Sequence, residues 1–171
     1  MSTQNTPAGF NPSTDLLLER YVDVPVEKVW AAWTEPDLLV QWFTPAPWAT
    51  ESVDIELKPG GKFNSVMRSP EGQLFPNLGC LMEIVPNRKL VFTSCMTEGF
   101  RPAKVTITPG HECAELLMTA VVMMEPKGTG TRYVAWAMHP DAASQKRHAD
   151  MGFEHGWGAA LDQLVALMKT K

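Results

Sequence analysis

The sequence predicts an α+β fold in which a curved antiparallel sheet of about six or seven strands wraps a long C-terminal helix, with two short helices after the first strand. Three observations carry that prediction. An alternating apolar segment is followed at once by two helical stripes; a strand-turn-strand stretch then runs over residues 51–137; and the chain ends in one amphipathic stripe.

Leu16, Leu18 and Val22 alternate with Glu19, Tyr21 and Asp23, which predicts the first strand. Pro25 stops it and suits the first turn of a helix, with Glu27 near the positive end of the helix dipole. Val26, Val29, Trp30 and Trp33 then fall at i, i+3, i+4 and i+7. Thr34, with Asp37 three residues on, predicts the N-cap of a second short helix through Leu38, Leu39, Trp42 and Phe43. Val53, Ile55 and Leu57 alternate with Ser52, Asp54 and Glu56. Lys58-Pro59-Gly60-Gly61 and Ser69-Pro70-Glu71-Gly72 are turn signals on either side of a strand over 63–68. One strand is expected over 74–85 and another over 90–96; residues 97–112 read as a loop with one short strand near 104–108. Strands over 116–125 and 133–138 flank the hairpin loop Lys127-Gly128-Thr129-Gly130.

The closing helix is expected to run about 25 residues, with Phe153, Ala160, Leu161, Leu164 and Met168 within about 60° of Trp157 on the helical wheel. His148, His155, Asp162 and Gln163 fall on the far side, toward solvent. His148 and His155 are two turns apart, roughly 10 Å along the axis, too far to share one metal ion.

Composition bounds the function. The chain has 171 residues, 44% apolar and 20% charged, which fits one globular domain over 14–171 behind a polar leader, 1–13, expected to be disordered. At this size roughly 70% of the extended-chain surface is buried, enough for a core with an internal pocket. The net charge of −4, with no run of Lys or Arg longer than two, argues against nucleic acid or an anionic membrane as the primary partner. The longest apolar run, 116–124, is too short to span a bilayer, and residues 1–14 lack the basic and apolar regions of a signal peptide. Cys80, Cys95 and Cys113 cannot all pair and have no zinc spacing; a reducing cytoplasm is the expected location, with no metal and no cofactor.

Val29-Trp30-Ala31-Ala32-Trp33-Thr34-Glu35-Pro36, with Trp42 after a short helix, resembles the opening signature of START-like helix-grip (SRPBCC) domains. The likeness is narrower to the subgroup named after the heat-shock-90 ATPase activator homologue. Pro59-Gly60-Gly61-Lys62-Phe63 agrees with it, as does Met82-Glu83-Ile84-Val85-Pro86-Asn87-Arg88-Lys89-Leu90-Val91-Phe92-Thr93. Gly156-Trp157 with Leu161-Asp162-Gln163-Leu164 completes the set, and the resemblance covers residues 16–168. It implies the helix-grip fold. Relatives include carriers of hydrophobic ligands, polyketide aromatases and cyclases, a self-sacrificing resistance protein and a cochaperone domain. No universal catalytic residue comes with it, so function rests on the site.

The expected function is binding of a small, largely hydrophobic molecule between sheet and closing helix. Two alternatives stay open: an enzyme of the cyclase, hydrolase or aromatase type, which needs an inward titratable pair, and cochaperone-like partner binding, which needs an exposed apolar patch. A homodimer also stays open. Alternation places Leu78, Cys80 and Met82 on the concave face, with Phe63, Met67, Phe92 and Met96 beside them. Trp42 and Phe43 end the helix pair and rim the cavity, Trp30 and Trp33 fill the core, and Phe153 and Trp157 close the cavity from the final helix. Asp150 and Glu154 continue that stripe and form an inward polar end, with Arg68 and Arg101 as candidate counter-charges; the alternative is an exposed first half of the helix. His139 is a structural residue or a ligand contact, and His111, two residues from Cys113, sits in the Pro-Gly loop.

Overall fold

The structure, a computed structural model, describes residues 6–104 and 116–171. In chain order it contains β1 (Asp15–Val22), α1 (Val26–Thr34), α2 (Pro36–Leu39), β2 (Ala49–Ile55), β3 (Phe63–Arg68), β4 (Leu74–Asn77), β5 (Cys80–Val85), β6 (Lys89–Thr93), β7 (Met96–Thr97), β8 (Arg101–Pro102), β9 (Thr119–Lys127), β10 (Gly130–Met138), α3 (Ala142–Asp150) and α4 (Phe153–Lys169). The stretch 105–115, with His111, Cys113 and most of the short strand expected at 104–108, lies outside the described residues.

The fold is α+β, a large antiparallel sheet closed by the C-terminal helix. The five-stranded sheet has the order β1-β10-β9-β6-β5, and β2-β3-β4 form a second, three-stranded sheet. The strand expected over 74–85 is therefore two strands, one in each sheet. Gly79 marks the break. A Cβ there would sit 2.8 Å from the Phe63 carbonyl oxygen and 3.1 Å from that of Thr93, so only glycine lets the three backbones meet. Phe63 N–H donates to the Gly79 carbonyl at 3.0 Å and Leu81 N–H to that of Gly61 at 2.9 Å, stitching the two sheets into one curved wall.

The long closing helix is also two segments. Gly152 adopts φ +91°, a left-handed conformation that costs glycine little and other residues more, and ends the path between α3 and α4. Asp141 caps α3 by accepting from the Ser144 N–H at 2.7 Å. This bend changes the azimuth of every side chain on α3 relative to α4. A second correction is at Thr34, whose hydroxyl donates back to the Trp30 carbonyl at 2.8 Å and ends α1. Glu35 holds the extended conformation that a following proline favours, and Pro36 is the first residue of α2.

The core lies between the large sheet and α1 and α4. Val29, Ala32, Leu39, Leu81, Leu90, Val122, Met124, Leu161 and Leu164 are almost wholly buried. Each leucine buried this way contributes about 1.5–3 kcal/mol. Ahead of β1, residues 6–13 run as turns; Phe10 packs 6.4 Å from the Trp136 ring, and Asp15 accepts from the Asn11 N–H and the Trp136 indole, each at 2.9 Å. No helix among the described residues is long and apolar enough to cross a membrane.

Candidate ligand-binding cavity

A cavity of about 340 Å³ lies between the curved wall, the loop after α2 and α4. Helix α4 supplies Phe153, Gly156, Trp157 and Ala160, the i, i+3, i+4, i+7 positions of one face. Trp33 reaches it from α1, and Trp42 and Phe43 from the segment after α2, while Phe63 and Phe92 come from β3 and β6. These rings form one aromatic shell: Phe63 stacks on Phe92 at 4.3 Å, and Trp33 meets Trp42 edge-on at 4.9 Å. Trp42 is fixed by its indole N–H donating to the Ala32 carbonyl at 2.9 Å. Leu78 and Met151 are wall residues that stay exposed, and they mark the mouth.

Of the residues expected at the site, Trp42, Phe43, Phe63, Met67, Leu78, Phe92, Phe153 and Trp157 are on the wall. Cys80, Met82, Met96, Asp150 and Glu154 are not. Past the change of sheet at Gly79 it is Leu81, not Cys80, that joins the core, and Met82 falls at the pairing irregularity between Leu81 and Glu83. Met96 belongs to the β7–β8 ribbon. Asp150 is exposed and pairs with Lys146 one turn back, turned to solvent by the bend at Gly152; Glu154, in the first turn of α4 at the edge of its apolar stripe, is exposed as well. Arg68 pairs with Glu51 at 3.0 Å.

The same bend brings His148 inward, against the expectation of a solvent-facing ring. His148 is 7% exposed, lies on the wall, and packs against Phe153 at 5.1 Å and Trp157 at 6.1 Å. Its Nδ1 is 2.8 Å from Nε2 of His139, and Nδ1 of His139 is 2.8 Å from the Thr14 carbonyl oxygen. The signal that could have found this pair is Gly152, a glycine inside a helical pattern. Gln163, also expected on the solvent side, clamps the cavity loop: its Nε2 donates to the Trp42 and Thr44 carbonyls, each at 2.9 Å, and its Oε1 accepts from the Ala46 N–H.

Burial, reinforced by neighbouring His139, pulls the His148 imidazole down to about 4. An unfolded histidine titrates near 6.5. Between these values the unfolded chain takes a proton that the folded chain refuses, so this contribution to stability is complete above pH 6.5 and lost as pH falls to 4. Urea unfolding at pH 7 and pH 4.5 should show wild type losing on the order of 2 kcal/mol more than His148→Gln. Equal losses would remove His148 from the acid response. Burial likewise raises the Tyr133 hydroxyl above the ordinary tyrosine range, with the Trp33 indole acting in the opposite direction.

Three hydroxyls of the wall are already engaged. The Thr44 hydroxyl lies 2.7 Å from that of Thr50; the Thr93 hydroxyl donates to the Met118 carbonyl at 3.1 Å and the Ser94 hydroxyl to that of Leu116 at 2.8 Å. No cluster of His, Cys, Asp or Glu among the described residues could hold a metal ion.

Comparison with known proteins agrees with this architecture. Protein NE0264 from Nitrosomonas europaea is 42% identical, with 94% of this chain and 97% of that chain covered and a TM-score of 0.86. Protein Ms6760 from Mycobacterium smegmatis shares the fold at 21% identity, covering 91% of each chain with a TM-score of 0.71. A protein from Arthrobacter aurescens does so at 24% identity, covering 93% of this chain and 88% of its own, with a TM-score of 0.73. No functionally curated protein matches the chain. The sequence profile described as "Activator of Hsp90 ATPase homolog 1-like protein" matches residues 23–169, and the chain belongs to that family.

Proposed function

We propose that the protein binds a small, largely apolar molecule in the cavity between the curved sheet and α4. The observation that supports this is a space of about 340 Å³ walled by aromatic rings and methionines, most of whose hydroxyl groups are already bonded to protein. Such a space is a suitable size for one drug-like or smaller molecule. Burying apolar surface of the ligand against those rings supplies the affinity, at about 25 cal/mol per Å² before the costs of association. Cys80 and Cys95 are free thiols, and a cytoplasmic setting goes with this reading.

Naphthalene is a direct probe, since it has no polar group. Quenching of tryptophan fluorescence should saturate at one equivalent, with a Kd on the order of 100 µM. Absence of saturable binding would contradict the proposal. A second reading, proton-transfer chemistry of the cyclase, hydrolase or aromatase kind, draws on the His139–His148 pair at the cavity wall.

A further inference from the structure

The hydrogen bonds of the His139–His148 pair fix which kind of polar group the cavity offers. The Thr14 carbonyl oxygen can only accept, so Nδ1 of His139 carries the hydrogen of that 2.8 Å contact. A neutral imidazole has one N–H, so Nε2 of His139 bears a lone pair. It faces Nδ1 of His148 at 2.8 Å, and that nitrogen must therefore be the donor. His148 in turn is left with a lone pair on Nε2. This nitrogen has no hydrogen-bond partner among the described residues, on a side chain more than nine-tenths buried in the cavity wall. It is also not among the fully buried unpartnered atoms, so it keeps accessible surface.

We infer that the cavity's occupant is a neutral aromatic alcohol of the phenol type, whose O–H donates to Nε2 of His148. This rests on the reading that the cavity holds a small apolar molecule, and it names the polar group that molecule carries. The aromatic part follows from Trp33, Phe43, Phe63, Phe92 and Trp157, which favour a flat ring through stacked and edge-on contacts. The donor part follows from the lone pair, since a ketone or ether oxygen placed there would set acceptor against acceptor. The neutral part follows from the wall itself, which among the described residues carries no lysine or arginine to answer a phenolate. His139 and the Thr14 carbonyl are positioning groups: they hold the imidazole in the tautomer that accepts.

Naphthalene, 2-naphthol and 2-methoxynaphthalene share one ring and differ only in the group tested. Titrated into the intact protein at pH 7, 2-naphthol should bind roughly fivefold or more tightly than 2-methoxynaphthalene, the effect of one desolvated hydrogen bond. In His148→Phe that preference should vanish; His148→Gln, which can present an amide oxygen, should restore part of it. Nitrogen NMR of wild type with labelled histidine needs no variant. The unprotonated Nε2 of His148 should shift on adding 2-naphthol and stay unmoved by naphthalene. Equal affinity for 2-naphthol and 2-methoxynaphthalene with no such shift would overturn the inference and leave the proposed function standing. Failure of all three to bind would overturn both.

Discussion

Gly156→Phe is expected to abolish naphthalene binding, lowering affinity at least tenfold, while Gly156→Ala keeps it. Gly156 lies within α4 and on the cavity wall, and a Cβ built there meets no atom within 4 Å. The backbone is already helical, so neither substitution strains it. Alanine removes the entropic cost of a helical glycine and should raise stability by about 0.5–1 kcal/mol. Phenylalanine gains less from the helix than alanine does and fills space that the ligand needs. The pair thus separates helix stabilisation from cavity filling. Unaltered naphthalene affinity in Gly156→Phe would place the binding site elsewhere, provided that urea unfolding shows the variant folded.

Gly79→Ala is the second large effect, on the fold itself. The added methyl group would lie 2.8 Å from the Phe63 carbonyl oxygen and 3.1 Å from that of Thr93. Both obstacles are backbone atoms in strands, which cannot rotate away as a side chain does. The Gly79 carbonyl also accepts from the Phe63 N–H at 3.0 Å, and its N–H donates to the Asn64 side chain at 3.1 Å. Relief therefore means parting the two sheets where Phe63 and Phe92 stack. Urea unfolding should show a loss of about 2–4 kcal/mol, in the range reserved for core disruption. A change below about 0.5 kcal/mol, the ordinary surface value, would mean that the sheets are not locked together at this point.

Two glycines, Gly79 and Gly152, mark where the sequence stops being legible. Local signals placed α1, the turns at Pro59-Gly60 and Pro70-Glu71, and the β9–β10 hairpin, because each depends on a few adjacent residues. Aromatic side chains such as Trp42, Phe63 and Phe92 could be placed near the cavity for the same reason. The run 74–85 reads as one strand since apolar alternation does not register a change of sheet; Gly79 carries the break. A helical wheel treats the closing helix as continuous, which turns His148 outward and Asp150 inward. A left-handed Gly152 reverses both, and a helical wheel cannot anticipate it. The His139–His148 contact was illegible for a further reason. It joins the end of β10 to α3 across that bend, so its geometry depends on tertiary packing rather than spacing.

Methionine-methyl NMR tests occupancy of the cavity most directly, because methionines sit both on the wall and away from it. Met67, Met118 and Met151 line the cavity; Met82, Met96 and Met168 do not. Naphthalene entering the aromatic shell should move the Met67, Met118 and Met151 methyl resonances by its ring current, saturating together with the fluorescence titration. The Met82, Met96 and Met168 resonances should stay in place. Saturable shifts at Met82 or Met96 with none at the three wall methionines would contradict binding in this cavity.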